Sequence, residues 1–547
     1  MSKKRRLMDF ISVEELIESP HNIIAIWAGT GSGKTTLIEG ADGLLTQAKV
    51  DICTSRKAKV KESTVNNNQL LNHMDELGAT ITWKGNSFSV VHTNAHIQKY
   101  IQEYYIRTNE ETYFWRCFDF IVIDEAHSIC GDATFADCTF TVKSLIEAIL
   151  EDQKAKKTST KIILMTATPE PIEWLVEKWG AKVYDFRTQT SYVKPKSIDI
   201  GTRLLAEHEA IRRAKEGQTV VYYFTHLDRL IPLIETAIEE GVDAKQIAVS
   251  VADPKTIERL QTNYPSIYDA SKSFEEILSQ NETIDARFKL VLTNGKNKEA
   301  INIRSHVDWV GIESHYFVDI IQMLGRFRGG IDTAFLIKDA NQFRYLRESD
   351  FDRKLQLGML SNANQLIKET SFSPPNDATF FALHKHEDMK KCIEEMKAFS
   401  LIKYNYLTEQ FERNDLLLAF RKHYMRHLAI MEDALEKEKE LASVYPYFNG
   451  INIRYQSQSM TPCSIESTLL GMGVTVGKTE FNYEKLVEVT DTLRKLYLKS
   501  NEAKKQFKYA NKIFSHFNLK CIQIGHKTIK EKGRYRIDLL VSKDEVA

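Results

Sequence analysis

Residues 22–37, Asn-Ile-Ile-Ala-Ile-Trp-Ala-Gly-Thr-Gly-Ser-Gly-Lys-Thr-Thr-Leu, constrain the fold more than any other stretch of the chain. The apolar run Ile23 to Trp27 reads as a buried strand, Ala28 to Gly33 as a glycine-rich loop, and Lys34-Thr35-Thr36 as the start of a helix. Gly29, Gly31 and Gly33, with Thr30 and Ser32 between them, let successive backbone N–H groups turn inward around phosphate oxygens. The helix start adds the positive end of its dipole; Lys34 is set to reach β- and γ-phosphates and the Thr35 hydroxyl to ligand magnesium. Ala28 stands where the commoner pattern has its first glycine. Residues Ala28 to Thr36 are therefore the expected seat of a nucleoside triphosphate.

A chain of 547 residues has room for two to four domains, each with its own core. Lys plus Arg equals Asp plus Glu at 74 each, so affinity for nucleic acid has to come from local patches rather than a global field. No apolar run approaches the roughly 18 residues of a membrane span, and the basic start, Met1 to Asp9, lacks the apolar core of a secretory signal. The seven cysteines (53, 117, 130, 138, 392, 463 and 521) form no Cys-x-x-Cys pair. They read as reduced thiols of a cytoplasmic protein rather than zinc or disulfide sites.

Downstream, Phe118-Asp-Phe-Ile-Val-Ile-Asp124-Glu125-Ala126-His127 is a near-continuous apolar run ending in two carboxylates. Such a run reads as a parallel strand that delivers acids to its C-terminal edge. Asp124 there is placed to hold magnesium through water, and Glu125 to orient or deprotonate an attacking water. Lys161-Ile-Ile-Leu-Met-Thr166-Ala167-Thr168-Pro169 is a further buried strand whose paired hydroxyls offer a link from the carboxylates to a second domain. Ala48 to Arg56 and Ser87 to Asn94 repeat the pattern of a strand ending in a polar loop. Strand ends of this kind line the crevice of an open α/β sheet, which makes Arg56 and Thr93 candidates for a phosphate backbone.

In this order and spacing, residues 28–35, 124–127 and 166–168 resemble motifs I, II and III of a superfamily 2 helicase of the Asp-Glu-Ala-His type. The resemblance implies a first RecA-like domain that uses ATP and Mg2+. Two features depart from it. No glutamine motif precedes the phosphate loop, and only Cys53 and Cys117 lie between motifs I and II, too few for the four-cysteine cluster of the iron–sulfur branch.

The stretch Tyr184 to Lys196 reads as a connector, after which a second α/β unit begins. Gln218 to His226 resembles motif IV; Phe288 to Asn294 followed by Glu299-Ala-Ile-Asn302-Ile303 resembles motif V, with Thr293 a candidate nucleic-acid contact. Ile320-Ile-Gln322-Met-Leu-Gly325-Arg326-Phe-Arg328-Gly329 resembles motif VI. Its Gln-x-x-Gly-Arg-x-Arg spacing is similar to that of herpesvirus-type origin-binding and mobile-element replication helicases. Gln322, Arg326 and Arg328 are the catalytic candidates here, the arginines directing cations at the phosphates of the first domain. On a helix the two arginines would diverge by about 200°, so one completes the ATP site and the other holds neighbouring structure. By position in the motif, Arg328 is assigned as the finger and Arg326 as the bridge between domains.

Beyond about residue 345 no motif is recognisable. Apolar spacing in 346–370 and 384–444 reads as helical, and helices near 482–499 and 502–516 precede two candidate strands, 519–524 and 534–541, joined through Gly525 to Gly533. Residues 500–536 hold ten Lys/Arg against Glu502 and Glu531, which marks Lys527, Arg534 and Arg536 as nucleic-acid candidates. The expected fold is thus α/β, with two tandem RecA-like P-loop domains (1–190 and 191–345), a helical accessory region (346–470) and a small basic α+β, winged-helix-like module (471–547). The resemblance implies a helicase or translocase moving along DNA in preference to RNA, with protein partners of a replication or defence system and no membrane. A duplex translocase that never separates strands and a nucleic-acid-sensing ATPase switch share the same motifs. A P-loop kinase or GTPase would lack the second α/β unit ending in Gly-Arg-x-Arg.

Overall fold

The computed structural model describes residues 6–54, 80–84, 87–93, 114–133, 138–190, 192–294, 302–342, 354–369, 387–405, 410–437, 441–456, 480–481, 519–529 and 533–542, with scattered positions between 469 and 490. It divides into two compact units, Met1–Tyr455 and Gln456–Ala547.

The first unit is built on two seven-stranded sheets. In chain order the first sheet takes β1 (Ile23–Trp27), β2 (Val50–Thr54), β3 (Thr80–Lys84), β4 (Ser87–Thr93), β5 (Phe120–Asp124), β6 (Lys161–Thr166) and β7 (Lys182–Asp185). Across the sheet they run β3-β4-β2-β5-β6-β1-β7, parallel except for the β3–β4 pair. The second sheet takes β8 (Ser197–Gly201), β9 (Val220–Tyr223), β10 (Ile247–Ser250), β11 (Leu290–Thr293), β12 (Val307–Ile312) and β13 (Ile331–Ile337). A hairpin of β14 (Ile402–Asn405) and β15 (Gln410–Arg413) follows, and then β16 (Asn452–Tyr455) returns to the second sheet beside β8. That sheet is parallel throughout, in the order β10-β11-β9-β12-β13-β8-β16.

The apolar runs explain this arrangement. Ile23, Ala25 and Trp27 join one core with Ile121, Ile123, Ile162 and Leu164, while Ile24 and Ile26 join another with Phe120, Val122, Ile163 and Met165. A strand whose alternate residues enter two different cores is covered on both faces, which a parallel sheet between helices requires. The second sheet divides in the same way: Val221 and Tyr223 face one core, Val220 and Tyr222 the other. The mixed α/β architecture with two largely parallel sheets is as expected from the sequence. No described helix is long and apolar enough to cross a membrane.

One segment goes beyond the sequence reading and one departs from it. Residues 6–18 carry a short helix, Val13–Glu18, capped by Ser12; Leu7, Ile11, Val13 and Leu16 enter the core beside β1, and the Leu7 N–H donates to the Ser32 carbonyl (2.8 Å). The stretch read as purely helical holds helices Leu357–Glu369, Glu387–Ala398 and Asp415–Glu436, but also β14, β15 and β16. Asn414 caps the longest helix, accepting the Leu417 N–H (3.2 Å). Leu416, Leu417, Phe420, Tyr424 and Leu428 of that helix lie in the core of the first sheet; Met431, Ala434 and Leu435 lie in the core of the second. One helix thus belongs to both lobes. Amphipathic spacing announces the helix, but nothing in its own sequence states that its two halves have different hosts.

The second unit shows a three-stranded antiparallel sheet, with β17 (Glu480–Phe481), β18 (Leu519–Ile529) and β19 (Gly533–Ser542) in the order β17-β19-β18. The sequence reading ends the first long strand before Gly525. Pairing instead continues past a register shift between Gln523 and Gly525 as far as Ile529. A bulge lets the glycine-containing stretch remain in the ladder. The register sets Arg534 opposite Thr528 and Arg536 opposite His526, and Lys527 opposite Tyr535. Arg534 and Arg536 are thus two residues apart on β19, and Lys527 of β18 lies opposite the residue between them. The expected helices at 482–499 and 502–516 lie almost entirely outside the described residues.

Candidate active site

The loop from Ala28 to Gly33 leaves the C-terminal end of β1 and turns into the helix Lys34–Glu39, as the residue pattern requires. Gly31 (φ +80°) and Gly33 (φ +98°) occupy left-handed backbone that a side chain disfavours. The Lys34 ammonium donates to the carbonyls of Ala28 (2.9 Å) and Gly29 (3.2 Å). Burial holds its pKa below the usual lysine range, and Glu125 and Asp124 oppose that shift. Thr35 and Thr36 lie in the first turn of the helix.

Asp124 ends β5, and its Oδ1 accepts the Glu125 N–H (3.0 Å). Glu125 has φ +50°, a conformation uncommon for a residue with a Cβ and found where the surroundings impose it. Its carboxylate heads a ring of polar contacts. Glu125 Oε1 accepts from Nη2 of Arg326 (3.0 Å), which also donates to Oε1 of Gln322 (3.0 Å). Gln322 Nε2 donates to Thr168 Oγ1 (3.0 Å), and the Thr168 N–H donates to Thr166 Oγ1 (3.1 Å). The same hydroxyl shares a hydrogen bond with His127 Nδ1 (3.0 Å), which lies 3.6 Å from Glu125 Oε2. The ring crosses between the two lobes twice, at Arg326–Glu125 and at Gln322–Thr168. Gln322, Thr166, Thr168, His127 and Arg326 are all buried. A guanidinium–carboxylate pair at that depth costs about 3–5 kcal/mol when one partner is removed.

The two arginines do not sit on the helix that the sequence reading gives them. That helix, Phe317–Leu324, ends before Gly325, and the Arg328 N–H donates to the Arg326 carbonyl (3.0 Å) in the turn that follows. The separation of about 200° does not apply, yet their directions still diverge. Arg326 reaches Glu125, whereas Arg328 lies over the phosphate loop: a Cβ added at Gly31 would collide with its Nη1. Arg328 Nε donates to Asn302 Oδ1 (3.1 Å), and its Nη1 is buried with no hydrogen-bond partner among the described residues. Burial, with Arg326 adding to it, brings this guanidinium down to about 10. Asn302 stands out in the sequence only as part of the motif V pattern; its neighbour Ile303 holds the turn by donating its N–H to the Arg326 carbonyl (2.7 Å).

Ala28–Thr36, Asp124, Glu125, Gln322, Arg326 and Arg328 are thus gathered along one cleft between the lobes. The nucleic-acid candidates are not part of this cluster. Thr293 is buried, its hydroxyl donating to the Ser250 carbonyl (2.7 Å), so it offers no surface contact as placed. Arg56 lies outside the described residues, and Thr93 ends β4 with its side chain undescribed. Lys527, Arg534 and Arg536 lie on strands of the second unit, where only the backbone is described.

Gly325 shows how tightly the lobes meet. A Cβ there would stand 2.6–2.8 Å from three side-chain atoms of Thr30. Gly325→Ala is therefore expected to hold the cleft apart, at the overpacking cost of about 1–3 kcal/mol, and to slow nucleotide turnover. Thr30→Gly in the same chain should recover part of the loss; steady-state turnover of the single and double variants measures both effects.

A family model described as ResIII, the res subunit of type III restriction enzymes, matches residues 6–171, from the segment beneath the phosphate loop through Thr-Ala-Thr. The sequence has no match among curated proteins. Among solved structures the chain is similar to S. cerevisiae Dbp5 bound to RNA and ADP BeF3, at 14% identity and a TM-score of 0.37, over 61% of this chain and 84% of that one. It is also similar to Mycobacterium smegmatis helicase Lhr bound to ssDNA and AMP-PNP, at 11% identity and a TM-score of 0.40, over 91% and 69%. A third likeness is to the Escherichia coli DEAH/RHA helicase HrpB, at 11% identity and a TM-score of 0.36, over 82% and 61%.

Proposed function

We propose that this chain is an ATP-driven nucleic-acid motor of the superfamily 2 helicase class, acting on DNA in preference to RNA. The observation that carries the reading is the reach of Arg328. A cation from the second lobe is buried against the phosphate loop of the first, with Nη1 unpartnered among the described residues. Burying an unpaired donor is costly unless a ligand's negative charge meets it. The terminal phosphate of a nucleotide seated on Ala28–Thr36 supplies that charge. The ResIII match over 6–171 supports the same reading for the first lobe.

In this reading Lys34 leaves the carbonyls of Ala28 and Gly29 to neutralise β- and γ-phosphate oxygens. Glu125 orients the attacking water, and Arg328 stabilises charge developing on the transferred phosphoryl group. Arg326, paired with Glu125 and Gln322, positions the carboxylate and reports closure of the cleft. The Thr35 hydroxyl and the Asp124 carboxylate are hard oxygen donors and fit Mg2+, which supplies charge neutralisation when bound. Turnover measured with single-stranded DNA, duplex DNA and RNA tests the proposal. Strong stimulation by one class that grows with strand length supports a motor; one hydrolysis per binding event would make the protein a switch instead.

The β18–β19 ribbon, which carries Lys527, Arg534 and Arg536, is the proposed second contact with nucleic acid. Removing Gln456–Ala547 should weaken binding and leave basal ATP turnover intact. It should also flatten the salt dependence by roughly 0.7–0.9 log units for each phosphate that this unit neutralises. Titrations across a salt series read the slope. An unchanged slope would confine this unit to a structural role.

A further inference from the structure

The connector between the lobes touches the phosphate loop at one buried atom. Thr190 Oγ1 accepts the Gly29 N–H (2.9 Å) and donates to the Phe186 carbonyl (2.7 Å), so both functions of the hydroxyl are used. The N–H it holds and the Ala28 carbonyl belong to one planar peptide unit. That carbonyl is the nearer of the two that receive the Lys34 ammonium, at 2.9 Å. The Ala28–Gly29 peptide is therefore gripped on both edges, by Thr190 from the connector and by Lys34 from the helix. Thr190 and Ala28 are both buried, so no solvent replaces the hydroxyl if it is lost. The connector is fixed again two residues on, where the Tyr192 hydroxyl donates to the Ala167 carbonyl (3.0 Å) within the Thr-Ala-Thr strand end.

From this geometry we infer that Thr190 is a positioning residue for the nucleotide site. It fixes the plane of the Ala28–Gly29 peptide and through it the resting place of Lys34, so that the lysine is delivered to the phosphates from one defined position. A rotated peptide would withdraw the carbonyl that holds Lys34 and leave the Gly29 N–H unpaired. The inference rests on the reading of Lys34 as a phosphate-binding lysine. It adds that the connector, which neither motif I nor motif III contains, sets how that lysine is presented.

The test is a double-mutant cycle on the full chain, read as affinity for ATP and, separately, as maximal turnover. Thr190→Val keeps the shape and removes the acceptor; it is expected to weaken ATP binding about ten-fold. Thr190→Ser keeps the hydroxyl and should stay within about three-fold of the parent. In a Lys34→Met background Thr190→Val should cost almost nothing further, because residues that act as a unit are non-additive. Thr190→Ala in both backgrounds takes the place of valine should that variant fail to fold. Equal losses in the two backgrounds, or parent-like affinity in Thr190→Val, overturn the inference by making Thr190 a connector cap alone. If Lys34→Met itself leaves ATP affinity untouched, the phosphate-binding reading of Lys34 falls first, and the inference with it.

Discussion

Arg328→Ala is expected to lower nucleic-acid-stimulated ATP turnover by about 10³–10⁵ while leaving ATP affinity within a few-fold, the pattern of a lost arginine finger. The expectation follows from where the guanidinium lies: over Gly31, joined through Nε to Asn302, and with Nη1 buried and unpartnered among the described residues. A surface ion pair removed in the same way would cost about 0–1 kcal/mol, less than ten-fold. Arg326→Ala provides the contrast. It breaks the pair with Glu125 and the bond to Gln322, so it should disturb cleft closure and folding stability together. Turnover, nucleotide affinity and thermal unfolding of the two variants separate the roles. A larger turnover loss in Arg326→Ala at unchanged affinity would exchange the assignments; two near-normal variants would mean that the second lobe does not complete this site.

Glu125→Gln should bind ATP as the parent does and stall before hydrolysis. Amide and carboxylate have nearly the same shape, and the amide oxygen can still accept from Arg326, so the polar ring should survive. What is lost on the proposed reading is the charge that orients and activates water, worth about 10²–10⁴ in rate for a general base. Single-turnover hydrolysis alongside equilibrium binding distinguishes this from a failure to bind. Near-parent turnover in Glu125→Gln would make Glu125 an interface residue whose task is to hold Arg326, and its positive φ would then serve the lobe contact rather than the chemistry.

Much of this site is legible in the sequence because its residues are read in local runs. The phosphate loop declares itself in one unbroken stretch, since strand, glycines, lysine and threonines must be adjacent for backbone N–H groups to converge. Asp124 and Glu125 are legible because an apolar strand has to end where its acids begin. Thr166 and Thr168 stand out as paired hydroxyls, and the structure joins them to His127 and Gln322. What stays hidden depends on long-range placement. Nothing near Thr190 in the sequence says that its hydroxyl will meet Gly29, 161 residues away. Arg326 and Arg328 read as helical because the apolar spacing of 317–324 continues into Phe327; Gly325 ends the helix and leaves both in a turn. Thr293 reads as a candidate nucleic-acid contact because it ends an apolar strand, but its hydroxyl is turned to the Ser250 carbonyl of the neighbouring strand.

The helix Asp415–Glu436 gives the cleft a mechanical character that the motifs alone do not. At 22 residues it is a rod of about 33 Å, with one end embedded in each lobe. Two bodies joined by a flexible tether swing freely; two bodies sharing a rod do so only by bending it or by sliding side chains at one seat. Packed cores yield in discrete steps rather than continuously, so the travel of the cleft is set by how far Leu416–Leu428 or Met431–Leu435 can shift before they lodge again. Any opening of the cleft therefore has to be absorbed at one of the two seats of this helix rather than at a free hinge.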